Sequence, residues 1–147
     1  DMLATLEACG QINLPRICLW PGEDAGHDAT SKAIRVWREQ HSHLTFHTVR
    51  NLPPARFLRL MSRAAVLVGN SSAGIREGSF LGTPVVNVGT RQQGRERATN
   101  VLDCPNNVDK LQTAIEAQIA HGPYPGRELY GTGHAGTAIA DILRRLC

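Results

Sequence analysis

Residues 66–96 read VLVGNSSAGIREGSFLGTPVVNVGTRQQGRE, and this stretch decides the fold. Val66, Leu67 and Val68 form an apolar run that stops at Gly69. The chain then passes through Asn-Ser-Ser-Ala-Gly before a helical pattern resumes over 74–81. After Gly82-Thr83-Pro84 a second apolar run, VVNV at 85–88, ends in a Gly-Thr turn. Short apolar runs bounded by turn residues read as buried strands. Two such strands joined by a helix pair in parallel, through a right-handed crossover.

Outward from this unit the same alternation continues. RICLW (16–20) leads into DATSKAIRVWREQH (28–41), where Ala33, Ile34 and Trp37 share a helix face. LTFHTV (44–49) alternates at period two and leads into PARFLRLMSRA (54–64), with Phe57, Leu58 and Met61 on one side. NVLDC (100–104) gives one more short strand. Two amphipathic helices follow, over 108–120 (Leu111, Ile115, Ile119) and 135–146 (Ala138, Ile139, Ile142, Leu146). The turn-rich segment between them, HGPYPGRELYGTGHAG, is the most irregular part. The expected fold is α/β: a doubly wound, Rossmann-like parallel sheet forming one domain over 1–147.

Composition narrows the function classes. At 147 residues, 41% hydrophobic and 20% charged, the chain has enough apolar material for one domain with its own core. A net charge of +3 is too mild for a nucleic-acid surface, and the groups Arg56-Arg59-Arg63 and Arg91-Arg95-Arg97 have no stacking aromatics interleaved. No apolar run approaches the roughly 20 residues of a membrane span, and no signal peptide is visible. Cys9, Cys18, Cys104 and Cys147 lack C-x-x-C or zinc-type spacing, which fits a reduced, cytoplasmic protein. The chain opens at Asp1 and not at Met, so it is expected to be part of a larger protein.

In open α/β sheets ligands bind beyond the carboxyl ends of strands, and residues 70–74 occupy such a place. Ser is a favoured N-cap residue, and the unpaired N–H groups of a helix start, with the helix dipole, attract phosphate. Ser71 and Ser72 add hydroxyl donors, and the small side chains through Gly74 let a diphosphate approach closely. The same turn also reads as a plain helix cap, and the turn alone does not choose.

Glu77 adds a constraint. A carboxylate is repelled by phosphate, so its natural partner beside a bound nucleotide is a neutral diol such as the ribose 2′- and 3′-hydroxyls. Its other reading is a surface ion pair with Arg76, which is worth little. The second strand repeats the layout and ends near Arg91, whose guanidinium fork suits phosphate. Nothing matches G-x-x-x-x-G-K-[ST] or G-x-G-x-x-G, which disfavours P-loop ATPase and dehydrogenase readings.

The run GNSSAGIREGSFLGTPVVNVGTRQQGRE, with PGEDAG upstream and LYGTGHA downstream, resembles the carboxy-terminal half of UDP-N-acetylglucosamine 2-epimerases over nearly the whole chain. The P-x-x-DAG and GTRQ-x-GRE elements lean toward the hydrolysing branch, which makes N-acetylmannosamine and UDP for sialic-acid-type sugars. The resemblance implies a glycosyltransferase-B arrangement of two Rossmann-like domains, with this one holding the nucleotide. It implies that Ser71 and Ser72, in the turn that includes Gly74, contact the diphosphate. Glu77 would meet the ribose, Arg91 the nucleotide pocket and the Leu52 backbone the uracil. Gly22 departs from the family pattern, standing where Asn is usual near the nucleotide.

The implied reaction is anti elimination of UDP to a 2-acetamidoglucal, followed by addition of water or return of UDP. The carboxylates that remove the C2 proton belong to an amino-terminal domain absent from this chain, so no catalytic residue is assigned here. Expected partners are UDP, UDP-N-acetylglucosamine and that missing domain, with no cofactor, metal, nucleic acid or membrane, and a homo-oligomer for the full-length enzyme. Two alternatives stay open: a non-catalytic nucleotide-sugar-binding module, and a glycosyltransferase of the same two-domain architecture.

The remaining polar residues carry less. His41 and His43 fall at a helix-to-strand junction with no carboxylate or Cys partner, and read as solvated loop histidines. His27 and Asp28 sit at a helix start, where capping is the simpler role. Tyr124 and Tyr130 read as packing residues in the turn-rich segment.

Overall fold

The computed structural model describes residues 2–21 and 27–146, and for His27 the backbone alone. In chain order the elements are α1 (Met2–Gly10), β1 (Arg16–Leu19), α2 (His27–Gln40), β2 (Phe46–Val49), α3 (Pro54–Met61), β3 (Leu67–Gly69), α4 (Ser72–Ile75), α5 (Glu77–Leu81), β4 (Val85–Val88), β5 (Val101–Cys104), α6 (Val108–His121) and α7 (Ala135–Leu146).

Every strand pairing is parallel, as the alternation of strands and helices requires. The ladders form two sheets, one of β1 and β2 and one in the order β3-β4-β5. β4 is central in the larger sheet, and all four of its residues are buried. That explains its unbroken VVNV run, since a strand covered on both faces has no solvent side to alternate toward. Asn87 is the polar exception there, and its Nδ2 donates to Asp103 Oδ1 of β5 at 2.6 Å.

The two sheets are joined by α1, an element that periodicity did not reveal. Ala8 packs with Val86, Val88, Cys104, Leu111 and Ile115, while Leu6 packs with Ile34 and Trp37. Each Val, Leu or Ile side chain fully buried this way contributes roughly 1.5–3 kcal/mol. Arg16, at the start of β1, fixes where α1 ends. Its Nε donates to Cys9 O at 2.6 Å and its Nη2 to Gly10 O at 2.9 Å and to Ile12 O. The last carbonyls of a helix lack intrahelical donors and carry partial negative charge, so a guanidinium there is doubly suited.

The helix expected over 74–81 is present as two short pieces. It starts earlier, at Ser72, and breaks at Arg76, which has φ −87° and ψ −70°. Gly82 ends the second piece with φ +68°, and a Cβ there would lie 1.9 Å from Tyr124 O. Only glycine suits both the left-handed backbone and that approach. Thr83 Oγ1 then donates to Met61 O at 3.1 Å, tying the turn before β4 to the end of α3.

α6 is capped by Asn107, whose Oδ1 accepts from Lys110 N–H at 3.0 Å, and it packs on β4 and β5 through Leu111, Ala114 and Ile115. α7 is amphipathic as its pattern foretells, yet none of its residues is buried. Ile139, Ile142, Leu143 and Leu146 are 57, 57, 56 and 78% exposed. Among the described residues no helix is long and apolar enough to cross a membrane.

Candidate functional site

The site is built where β3 and β4 end. β3 stops at Gly69, and Ser71 takes the N-cap position of α4 with extended backbone, φ −74° and ψ 140°. Its Oγ accepts from Ala73 N–H at 3.3 Å, and its carbonyl accepts from Gly74 N–H at 3.2 Å. The turn therefore engages two of the donors that the sequence offers to an anion, though at the long end of hydrogen-bond geometry. A phosphate oxygen forms shorter, charge-assisted bonds and competes well for such donors. Because α4 is a single turn, the dipole expected of a longer helix contributes little here; local N–H and O–H groups carry the attraction.

The named residues differ in accessibility. Ser71 is exposed and Ser72 half-buried, so both hydroxyls lie at or near solvent. Gly74 is buried, and a Cβ on it would meet Val85 Cγ1 at 3.0 Å and Leu67 Cδ2 at 3.3 Å. Its small size is thus needed for the turn to sit on β3 and β4. Glu77 opens α5 and is half-buried. Among the described residues it has no ion-pair partner, so the surface pair with Arg76 is absent.

β4 ends at Val88, and Gly89 turns the chain with φ +72° while its N–H donates to Cys104 O at 2.9 Å. Arg91 is exposed at the tip of the loop that follows. Gln92 is 4% exposed, and its Nε2 donates to Asn70 O at 2.7 Å. The carboxyl-end turns of the two strands are thereby brought together, with Ser71 and Ser72 on one and Arg91 on the other.

Three further residues hold the loop. Arg97 Nη2 donates to Gln92 O at 2.8 Å, and Arg97 Nη1 donates to Arg95 O. Arg97 Nε lies 2.6 Å from Asp103 Oδ2, a charge contact whose N–H does not point at the carboxylate. Tyr130 Oη donates to Glu96 O at 2.6 Å, so the irregular segment after α6 reaches back onto the same loop.

Leu52 lies in the link between β2 and α3, half-buried and in the other sheet's connection. α3 packs against α5, and among the described residues no hydrogen bond joins Leu52 to the serine turn. Gly22 lies outside the described residues. Gln92, Asn87, Arg97 and Asp103 were not assigned a part in the site from sequence. Asn87 inside an otherwise apolar strand was the available signal, since a buried amide demands a partner.

His41 stacks on Trp37 with ring centroids 4.2 Å apart, and its Nδ1 lies 2.9 Å from Trp37 O. Tyr124 Oη donates to Gln118 Oε1 at 2.8 Å. Among the described residues no three His, Cys, Asp or Glu side chains are grouped to hold a metal ion.

The chain that carries this arrangement matches the family model described as UDP-N-acetylglucosamine 2-epimerase over residues 1–144. The chain belongs to that family. Among its relatives, the UDP-N,N'-diacetylbacillosamine 2-epimerase (hydrolyzing) of Legionella pneumophila is 29% identical over 143 residues, 97% of this chain and 37% of the relative. The UDP-N-acetylglucosamine 2-epimerase of Neisseria meningitidis serogroup B is 29% identical over 133 residues, 90% of this chain and 33% of the relative. The GDP/UDP-N,N'-diacetylbacillosamine 2-epimerase (hydrolyzing) of Campylobacter jejuni is 41% identical over 69 residues, 46% of this chain and 18% of the relative. This epimerase-family chain therefore spans about a third of the length of the two relatives that it matches over most of its own length.

Proposed function

We propose that this chain is the UDP-binding domain of a UDP-N-acetylglucosamine 2-epimerase, with catalytic carboxylates supplied by a domain outside residues 1–147. The observation that carries the reading is the approach of the two strand-end turns. Gln92 Nε2 donates to Asn70 O, which links the turn that carries Ser71 and Ser72 to the loop that carries Arg91. Such a linked pair suits a diphosphate, whose two negative groups need several donors. Among the described residues Glu77 has no ion pair, and beside the same turn it is available to accept from ribose hydroxyls. Leu52 and Gly22 are assigned to the nucleotide by family resemblance, and Gly74 serves by letting the turn sit close on the sheet.

In the proposed reaction a base outside this chain removes the C2 proton of the sugar. The electron pair forms a C1–C2 double bond as the C1–O bond breaks, leaving 2-acetamidoglucal and UDP. Donors at Ser71, Ser72 and Arg91 stabilise the charge that develops on the departing diphosphate. In the hydrolysing branch, favoured by the names of two relatives, water then adds across the double bond to give the epimeric free sugar. The family match speaks against the glycosyltransferase alternative.

Calorimetric titration of the 147-residue chain with UDP and with ADP tests this reading. Saturable UDP binding, weaker ADP binding and no turnover of UDP-N-acetylglucosamine are expected. Absence of UDP binding contradicts the assignment.

A further inference from the structure

Gln92 is almost fully buried, yet half of its amide goes unused. Its Nε2 donates to Asn70 O, while its Oε1 has no hydrogen-bond partner among the described residues. Burying an unpaired amide oxygen costs stability, and an apolar side chain would fill the same space without that cost. The feature that an apolar side chain cannot supply is the bond across 22 residues to the carbonyl immediately before the Ser71 cap.

The loop bearing Gln92 is itself clamped. Arg97 donates to Gln92 O and stands against Asp103 of β5, and Asp103 also accepts from Asn87 of β4. A continuous set of polar contacts thus runs from the β4-β5 ladder through Arg97 and Gln92 to Asn70. Each step is anchored to the sheet or to backbone, so the Gln92 side chain sets the spacing between the two turns.

We infer that Gln92 is a positioning residue for diphosphate: through Asn70 O it holds the Ser71–Ser72 turn at a fixed separation from Arg91. This rests on the UDP-binding reading above and deepens it. Donors on two independent turns must be held in place before the ligand arrives if their full interaction is to be realised; otherwise ordering the loop subtracts from affinity. Gln92 touches no ligand in this account. Its effect falls on the part of the ligand that spans both turns, the diphosphate, and not on the nucleoside.

The test is Gln92→Met, which keeps length and bulk but removes the donor. UDP and inorganic diphosphate should each bind about tenfold more weakly to this variant, roughly the worth of one well-placed hydrogen bond. Uridine should bind as it does to the unaltered chain. A purely structural role would lower all three ligands together, in step with loss of folded protein, and would overturn the inference. Equal diphosphate affinity in variant and parent overturns it too, while leaving the UDP reading standing.

Failure of the parent chain to bind either UDP or diphosphate overturns both. Should Gln92→Met not fold, Arg97→Lys keeps a charge beside Asp103 but removes the guanidinium donor to Gln92 O. It is expected to show the same selective loss for diphosphate, and unchanged affinity there counts against the clamp.

Discussion

Gln118, on α6, donates through Nε2 to the carbonyl of Asn100 at 3.0 Å, and the same amide nitrogen reaches Val85 O at 2.8 Å. One buried side chain thereby closes the amino-terminal ends of β4 and β5 against the helix that covers them. Asn100 is equally occupied: its Nδ2 donates to Thr83 O at 2.7 Å and its Oδ1 accepts from Ser79 Oγ at 3.1 Å. Tyr124 completes the group by donating to Gln118 Oε1. A polar cluster this well satisfied favours one arrangement of β4, β5, α5 and α6 over looser packings.

Gln118→Leu removes the bonds to Val85 O and Asn100 O and leaves the Tyr124 hydroxyl without its acceptor, and should cost about 1–3 kcal/mol of unfolding free energy. Tyr124→Phe removes one partner of an otherwise bonded group and should cost about 1 kcal/mol. Urea unfolding measures both. A neutral Gln118→Leu would mean that the cluster does not hold the strands.

Gly82→Ala should be among the most damaging single-methyl additions in the chain. The left-handed backbone costs a non-glycine residue roughly 1–2 kcal/mol, and the new Cβ would stand 1.9 Å from Tyr124 O, which must move. A loss of more than about 2 kcal/mol in chemical denaturation is expected. Full stability would show that the segment after α6 does not pack on the end of α5.

Much of this fold was legible in the sequence, for identifiable reasons. β3 and β4 were readable because Leu67–Gly69 and Val85–Val88 are short apolar runs closed by turn residues. α6 was readable because Leu111 and Ile115 recur on one face, and both are buried as that spacing requires. α1 was not, because its apolar residues contact two different cores on different sides and so make no single stripe. The break at Arg76 follows from backbone conformation that no residue type announces. Ser71 as a cap was foreseeable from local chemistry, whereas Gln92 meeting Asn70 depends on how two strand ends come side by side.

Glu77→Ala should weaken UDP by tenfold or more, in line with the roughly 1.5–3 kcal/mol of a hydrogen bond to a charged group. Inorganic diphosphate, which lacks a ribose, should bind as before. Parallel titrations decide this, and equal losses for both ligands would remove the ribose role.

Burial pushes the Cys9 thiol up to about 11 from its ordinary 9.0, with Arg16 opposing the shift and Cys18 adding to it. The folded state therefore holds this proton more tightly than the unfolded chain does. Its contribution to stability is complete below 9.0 and is lost as pH rises toward 11. Urea midpoints should fall more steeply between about pH 8 and about pH 10.5 in the parent than in Cys9→Ala. Equal slopes would show that Cys9 is not desolvated by α1 packing.

α7 buries none of its residues, so the described domain should not depend on it. Changing Ile139, Ile142, Leu143 and Leu146 to Ser should leave the thermal midpoint unaltered while making the surface more polar. A marked fall in the midpoint would mean that this helix packs on the rest of the chain.

In the proposed binding mode UDP lies across the two turns that end β3 and β4. Its most direct test is to follow backbone amide resonances of the 147-residue chain while UDP is added. Saturable shifts gathered at Ser71, Ser72, Glu77 and Arg91, with a smaller response at Gln92, are the result predicted. Saturable shifts confined elsewhere, for instance to the surface cavity of about 310 Å³ lined by Arg97, Thr99, Arg127 and Leu129, would contradict it.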